Sequence, residues 1–235
     1  MARRAFQRLI ANPDQTEHVF VVIRALSGRS FQRLMRRVRR DPEGARIVTE
    51  RRNLIPVLSD SDALRALPFG SLGHHYQRFI ESEQISAAGL EAASLAVREA
   101  RESMPRVREL EEEAFGARLR DMHDLWHVVT GYSRDVLGEL ALLAFTYEQT
   151  REPGIGYIVR KVERRMRKGG NAEISDFLRA ASERGSAAAF LPAADWESLL
   201  ELPLEDVRRE LRVGAPVVYQ ERRTPAGEAA ASARA

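Results

Sequence analysis

Apolar residues recur three and four positions apart along most of the chain, the period that gives a helix one buried face. A short first segment closes at Ile10, and "NPD" (12–14) opens a helix over 15–26 that ends at Gly28, a residue suited to the left-handed turn after a helix. Ser30 starts a basic helix, and "DPEG", with Asp41 before Pro42, opens another in the favoured cap-then-proline order. "DSDALRALP" reads as a short helix halted by Pro68, and Ser71 caps one that carries His74, His75, Tyr76 and Phe79. Two long helices, 87–104 and 107–130, are separated by Pro105. The apolar "SRDVLGELALLAFTYEQT" stops before Pro153, and helices over 155–168 and 173–183 precede "DWESLLELPLEDVRRELRV", which Pro203 interrupts. Only "APVVYQ" (215–220) is β-like. The pattern predicts an all-α, single-domain bundle of about ten helices over 1–212. The tail over 213–235, with "TPAGEAAASARA" at its end, has little to bury and is expected to be disordered.

Composition narrows the setting. At 235 residues with 44% hydrophobic and 30% charged, the chain has material for one sizeable core. With no cysteine, disulfides and thiolate metal ligands are excluded, which agrees with a cytosolic compartment. No apolar run nears the roughly 20 residues that span a bilayer. The opening "MARRAFQRLIANP" lacks the apolar stretch of a signal peptide. Any membrane is therefore met from the side. Net charge is only +3, and Lys161 and Lys168 are the only lysines, so the basicity rests on arginine. The stretches "RRVRR" (36–40) and "RKVERRMRK" (160–168) carry neither a recognition motif nor interleaved aromatics, and no nucleic-acid partner is expected. They read as solvated helix faces or as attractors of anionic lipid.

Candidate chemistry concentrates in "RLRDMHDLWHVVTGYSRDVLGE" (118–139). On a helix His123, Asp124 and His127 fall within an arc of about 100°. Imidazoles four residues apart converge on one cation in helical zinc sites, and a neighbouring carboxylate either binds the same ion or orients a ring. The plainer alternative is a polar stripe on an ordinary helix. Glu139 lies too far along a continuous helix to share the ion. Gly131 is a stop and Ser133 a fresh cap, however, and a reversal there would return Glu139 toward the histidines. Gly138 removes a side chain where two helices would approach. A ferritin-like di-iron site needs a second carboxylate-x-x-His copy, and the His-Asp phosphohydrolases need a later histidine; the chain has neither.

His123-Asp124-x-x-His127, followed after eleven residues by Glu139, resembles the motif of the coenzyme Q (ubiquinone) biosynthesis protein 4 family. "RLRDMHDLWHVVTGY" with "GELALLAFTYEQT" resembles its central block, "LPFGSLGHHYQRFIES" its upstream segment and "DWESLLELPLEDVRREL" its closing one. The chain departs from the pattern at "ERRNL" (50–54), where a proline is expected after the first arginine. The resemblance spans about 10–212. It implies an all-helical fold and a divalent metal, zinc in the first place with iron or manganese as alternatives, on His123, Asp124, His127 and Glu139. It also implies a polyprenylated quinone precursor as ligand, a membrane surface and other ubiquinone-biosynthesis enzymes as partners, and a homo-oligomer as one assembly. The expected setting is bacterial, cytoplasmic and peripheral to the inner membrane. Two activities follow from it. One is metal-dependent oxidative decarboxylation of a polyprenyl hydroxybenzoate; the other is a non-catalytic lipid-binding scaffold whose metal is structural. Zinc has no redox chemistry, so the first needs another metal, another cofactor or a reactive ring.

No catalytic residue is assigned. His74, His75 and Tyr76 are candidates to face the site, with packing as the alternative. Arg118 and Arg120 are candidates to hold an acidic head group or an outer carboxylate, with ion pairs to Glu111, Glu112 or Glu113 as the alternative. Leu140, Leu143, Ala144 and Tyr147 form a core stripe or line a prenyl groove.

Overall fold

A computed structural model of the chain describes residues 23, 26, 28–83 and 107–221. The expected helix over 87–104, most of that over 15–26, the segment closing at Ile10 and the tail beyond 221 lie outside them. Among the described residues the regular elements are helical, as expected. In order they are α1 (Ser30–Val38), α2 (Pro42–Glu50), α3 (Ile55–Leu58), α4 (Ser61–Ala66), α5 (Leu72–Glu83), α6 (Val107–Thr130), α7 (Val136–Thr150), α8 (Pro153–Lys168), α9 (Ile174–Ala187), a 3-10 turn (Leu191–Ala193), α10 (Trp196–Leu199) and α11 (Leu204–Glu210). The β-like "APVVYQ" forms no strand.

The chain gathers into two compact units. One takes Met35–Thr130 and Ala189–Val213, the other Met1–Leu34, Gly131–Ala188 and Gly214–Ala235. In the first, α6 packs against α2, α5 and α11. Phe115, Met122, Leu125 and Val129 of α6 are buried there with Leu72, Tyr76 and Ile80 of α5 and Ile47 and Val48 of α2. The spacing of 115, 122, 125 and 129 keeps these side chains on one helix face. Asp41 starts α2 by accepting from the Gly44 N–H at 3.0 Å, with Pro42 in the first turn. Ser71 Oγ accepts from the His74 N–H at 3.2 Å and so begins α5. The turn before α5 is tied to the turn before α11, Leu72 N–H donating to Leu202 O at 2.8 Å and Leu204 N–H to Gly70 O at 2.9 Å.

In the second unit α7 packs against α8 and α9. Of the stripe on α7, Leu140 and Ala144 are buried while Leu143, packed on Ile158, and Tyr147 are half-buried; Leu137, Ala141 and Phe145 add to the buried surface of the helix. Ile158 of α8 packs with Leu143, Tyr157, Val162, Ile23 and Leu26. Buried Gln149 donates to the Gly185 carbonyl at 2.7 Å, joining α7 to α9. The tail expected from 213 onward begins packed. Val213 is buried, and the Tyr219 hydroxyl donates to Asp135 Oδ2 at 2.6 Å.

Candidate metal centre

His123, Asp124 and His127 lie in the last two turns of α6, with one potential ligand atom from each within 4.8 Å of the others. His127 is 1% and Asp124 5% exposed, whereas His123 is half-buried. The two imidazoles meet edge to face, centroids 4.8 Å apart and planes at 85°. Phe79 of α5 stacks on His127 at 5.5 Å and 23°, which fixes the plane of that ring. Tyr76, one turn earlier on α5, is buried. Burial, then the charges of Asp124 and Asp121, push its phenol above the ordinary value, so it keeps its proton.

Both ends of this stretch are held by the segment after the 3-10 turn. The side chain of Arg118 is fully buried and makes a two-pronged pair with Glu197 at 2.7 and 2.6 Å, with its Nη2 also donating to Ala194 O at 3.4 Å. Its partner is therefore not among Glu111, Glu112 and Glu113: the last two lie on other faces of α6, and Glu111, two turns back, pairs with Arg39 at 2.6 Å. At the other end Arg208 of α11 donates to Val129 O at 2.9 Å and Val128 O at 3.1 Å. It satisfies carbonyls that the last turn of a helix leaves open.

Arg120 lies 3.3 Å from Asp121 rather than reaching outward alone. The His74 ring lies tilted against Phe69 with centroids 5.0 Å apart, and His75 is 6.2 Å from His74; both histidines are half-buried. The His75 imidazolium is disfavoured by burial first, then by His74, Arg208 and Arg78. Asp121, 4% exposed, went unremarked in the sequence although it precedes Asp124 by three residues and shares its face. Glu197 also went unremarked, because no local signal links it to α6.

Glu139 belongs to the other unit, on the first turn of α7, with its Oε1 3.7 Å from Arg134 Nε. The cap of that helix is Asp135, not Ser133 as the sequence suggested. Its carboxylate accepts from the N–H groups of Leu137 at 3.0 Å and Gly138 at 3.3 Å. Ser133 lies two residues too early, and its N–H donates to the Tyr219 hydroxyl at 2.9 Å. Gly131 makes the preceding turn with φ +75°, and a Cβ there would press on Pro216.

Two imidazoles and a carboxylate on one helix face make a donor set that suits zinc, iron(II) and manganese. Three ligands also leave positions open for a substrate oxygen or water, so the residues fit a divalent ion.

The family model described as coenzyme Q (ubiquinone) biosynthesis protein Coq4 matches residues 2–216, the whole motif included. The chain belongs to this family. It is thus a ubiquinone biosynthesis protein, as the motif led us to expect. Among relatives of the Coq4 family, the mitochondrial ubiquinone biosynthesis protein COQ4 homolog of Homo sapiens is 28% identical over 214 residues, 88% of this chain and 75% of that one. The Danio rerio homolog is 27% identical over 218 residues, 89% of this chain and 73% of its own. The Aspergillus clavatus protein is 30% identical over 176 residues, 75% of this chain and 58% of its own. A crystal structure of a candidate ubiquinone biosynthesis protein from Nostoc punctiforme PCC 73102 superposes with TM-score 0.64 at 24% identity, covering 91% of this chain and 97% of that one. That likeness shows the fold. No helix among the described residues is long and apolar enough to cross a membrane.

Proposed function

We propose that this Coq4 protein catalyses the metal-dependent oxidative decarboxylation of a polyprenyl hydroxybenzoate at a membrane surface. The observation that carries the reading is the half-open cluster of His123, Asp124 and His127, whose ligand atoms lie within 4.8 Å. In this reading those three hold the ion, and Glu139 enters as the motif's fourth member on the strength of sequence alone. The net change is a two-electron oxidation. The bond from ring to carboxyl breaks with release of carbon dioxide, a ring–oxygen bond forms with the oxygen of a water, and the electron pair with two protons passes to dioxygen, which leaves as hydrogen peroxide. A bound divalent ion would supply a Lewis acid for the carboxylate and phenol-type oxygens and lower the cost of the charge that develops between them.

The chain's own residues supply the rest. Phe79 keeps the His127 ring in one plane, and the Arg118–Glu197 pair and Arg208 hold the two ends of the ligand-bearing turns. Tyr76 retains its proton at neutral pH and offers an O–H beside Asp124. Water is reduced around Asp124 and His127 by their burial. The near-complete burial of these two also favours the second reading, a scaffold in which the ion is structural. The names of the animal and fungal relatives place them in mitochondria. For this chain we propose the cytoplasmic face of a bacterial inner membrane.

The test is metal analysis of wild type, His127→Gln and Asp124→Asn, with folding checked by circular dichroism. Each is assayed on a farnesylated hydroxybenzoate in detergent under oxygen. We expect about one ion per chain and turnover in the wild type, and loss of both in the folded variants. The identity of the ion then decides between zinc and a redox-active metal. A bound ion with no turnover supports the scaffold, and a folded wild type with no ion ends the metal reading.

A further inference from the structure

Several exposed arginines among the described residues are paired with a carboxylate one helical turn away. Arg46 is paired with Glu43 and Glu50, Arg179 with Asp176 and Glu183, and Arg209 with Asp206. Helix α8 departs from that arrangement. Its sequence "PGIGYIVRKVERRMRK" holds six cations and one acid, a net +5 against +3 for the whole chain. Arg160, Lys161, Arg164, Arg165, Arg167 and Lys168 are all exposed, and both lysines of the protein are among them. The single acid, Glu163, accepts from the Ser175 hydroxyl at 2.7 Å.

At about 100° per residue the six cations cover one continuous arc of about 160° over a length of about 12 Å. The opposite arc holds Ile155, Ile158 and Val162, and the Ile158 cluster commits it to the unit's own core. The charged arc is thus fixed outward, and its length is close to one Debye length at about 0.1 M salt, so the charges act together. Interaction with the helix C-terminus accounts for cations in the last turn only. Arg160, Lys161 and Arg164 lie before it.

We propose that this face of α8 is a docking surface for the anionic headgroups of a bilayer. Single-stranded nucleic acid is the less suitable polyanion, because binding it relies on a series of exposed aromatic side chains set among the cations, and the one aromatic on this arc, Tyr157, is half-buried against Ile158 with Lys161 5.5 Å from its ring. A convex ridge of long, exposed cationic side chains, held by a buried apolar face, can rest along a charged plane. Clusters of four to eight Lys and Arg suffice for such binding. The inference deepens the reading of a membrane-surface enzyme by naming the element that meets the surface. It does not depend on the metal site.

The experiment is co-sedimentation of the full chain with vesicles of phosphatidylcholine alone or with about one third phosphatidylglycerol, at low and at about 0.5 M salt. Wild type is expected to bind the anionic vesicles, to leave the neutral ones, and to be released by salt. Replacing Arg160, Arg164 and Arg167 by Gln should weaken binding on the order of a hundredfold, since each surface cation contributes roughly fivefold. The control, Arg46→Gln with Arg179→Gln and Arg209→Gln, should bind as wild type. Equal binding by both triple variants overturns the proposal, as does equal binding to neutral vesicles. Retention by single-stranded RNA with no vesicle binding overturns it in favour of the other polyanion. Turnover in detergent and metal content are read on the same variant and should not change. Their loss in the wild type would count against the catalytic reading and leave this one standing.

Discussion

His75 shows how a single side chain can report the state of the unit that holds the metal motif. It is half-buried on α5, and burial together with the nearby His74, Arg208 and Arg78 lowers its affinity for a proton, with Glu205 opposing them. A histidine whose folded value lies below its unfolded one binds more protons when unfolded. Its contribution is therefore fully present above the ordinary histidine value of about 6.5 and is lost as pH falls through the lowered folded value. We expect the urea midpoint of wild type to fall more steeply below about pH 6.5 than that of His75→Gln. The difference between the two curves is the measurement, because carboxylates protonated in the same range contribute equally to both. Parallel curves would mean that His75 titrates as it does in the unfolded chain.

Among the elements, the turn between α6 and α7 is held from far along the chain. The Tyr219 hydroxyl accepts from the Ser133 N–H at 2.9 Å and donates to Asp135 Oδ2 at 2.6 Å, and the same carboxylate caps α7. A Cβ at Gly138 would collide with the Ser133 carbonyl oxygen, the Tyr219 hydroxyl and Asp135, which is why this corner closes only around glycine. Tyr219→Phe keeps the ring and removes both hydrogen bonds. We expect a loss of about 1–2 kcal/mol, read as a lower urea midpoint with an unchanged slope. No loss would mean that water replaces the hydroxyl. This corner also marks the limit of what the sequence discloses. Helix periods, the Asp41 and Pro42 start and the Gly131 stop are local, and the sequence carries them openly. His123, Asp124 and His127 were legible for the same reason, since one helix turn brings them together whatever the rest of the chain does. Tyr219 with Asp135 and Arg118 with Glu197 are separated by 84 and 79 residues, and nothing in the flanking sequence announces either pairing. Tyr219 instead sits in a stretch whose alternation looked like a strand, and tertiary packing overrode that propensity.

For the whole molecule, the question is whether the ion holds the fold together or is added to a fold that stands alone. Small metal-dependent domains unfold without their ion because they lack a core. This chain has large side chains fully buried without reference to any ion, among them Trp196, Tyr76, Phe115 and Phe145. The chelated protein should therefore remain helical and unfold cooperatively. A ligand that binds only the folded state stabilises it by mass action, by about 2.7 kcal/mol at a hundred times its dissociation constant. For a chain of this length each kcal/mol moves the thermal midpoint by about 2–4 °C. Zinc or iron(II) at that excess should thus raise the midpoint of the wild type by about 5–10 °C and leave His127→Gln unmoved. An equal rise in both would place the binding elsewhere. Collapse of the chelated wild type to an unfolded chain would make the ion a part of the fold, and the scaffold reading would then account for it better than catalysis.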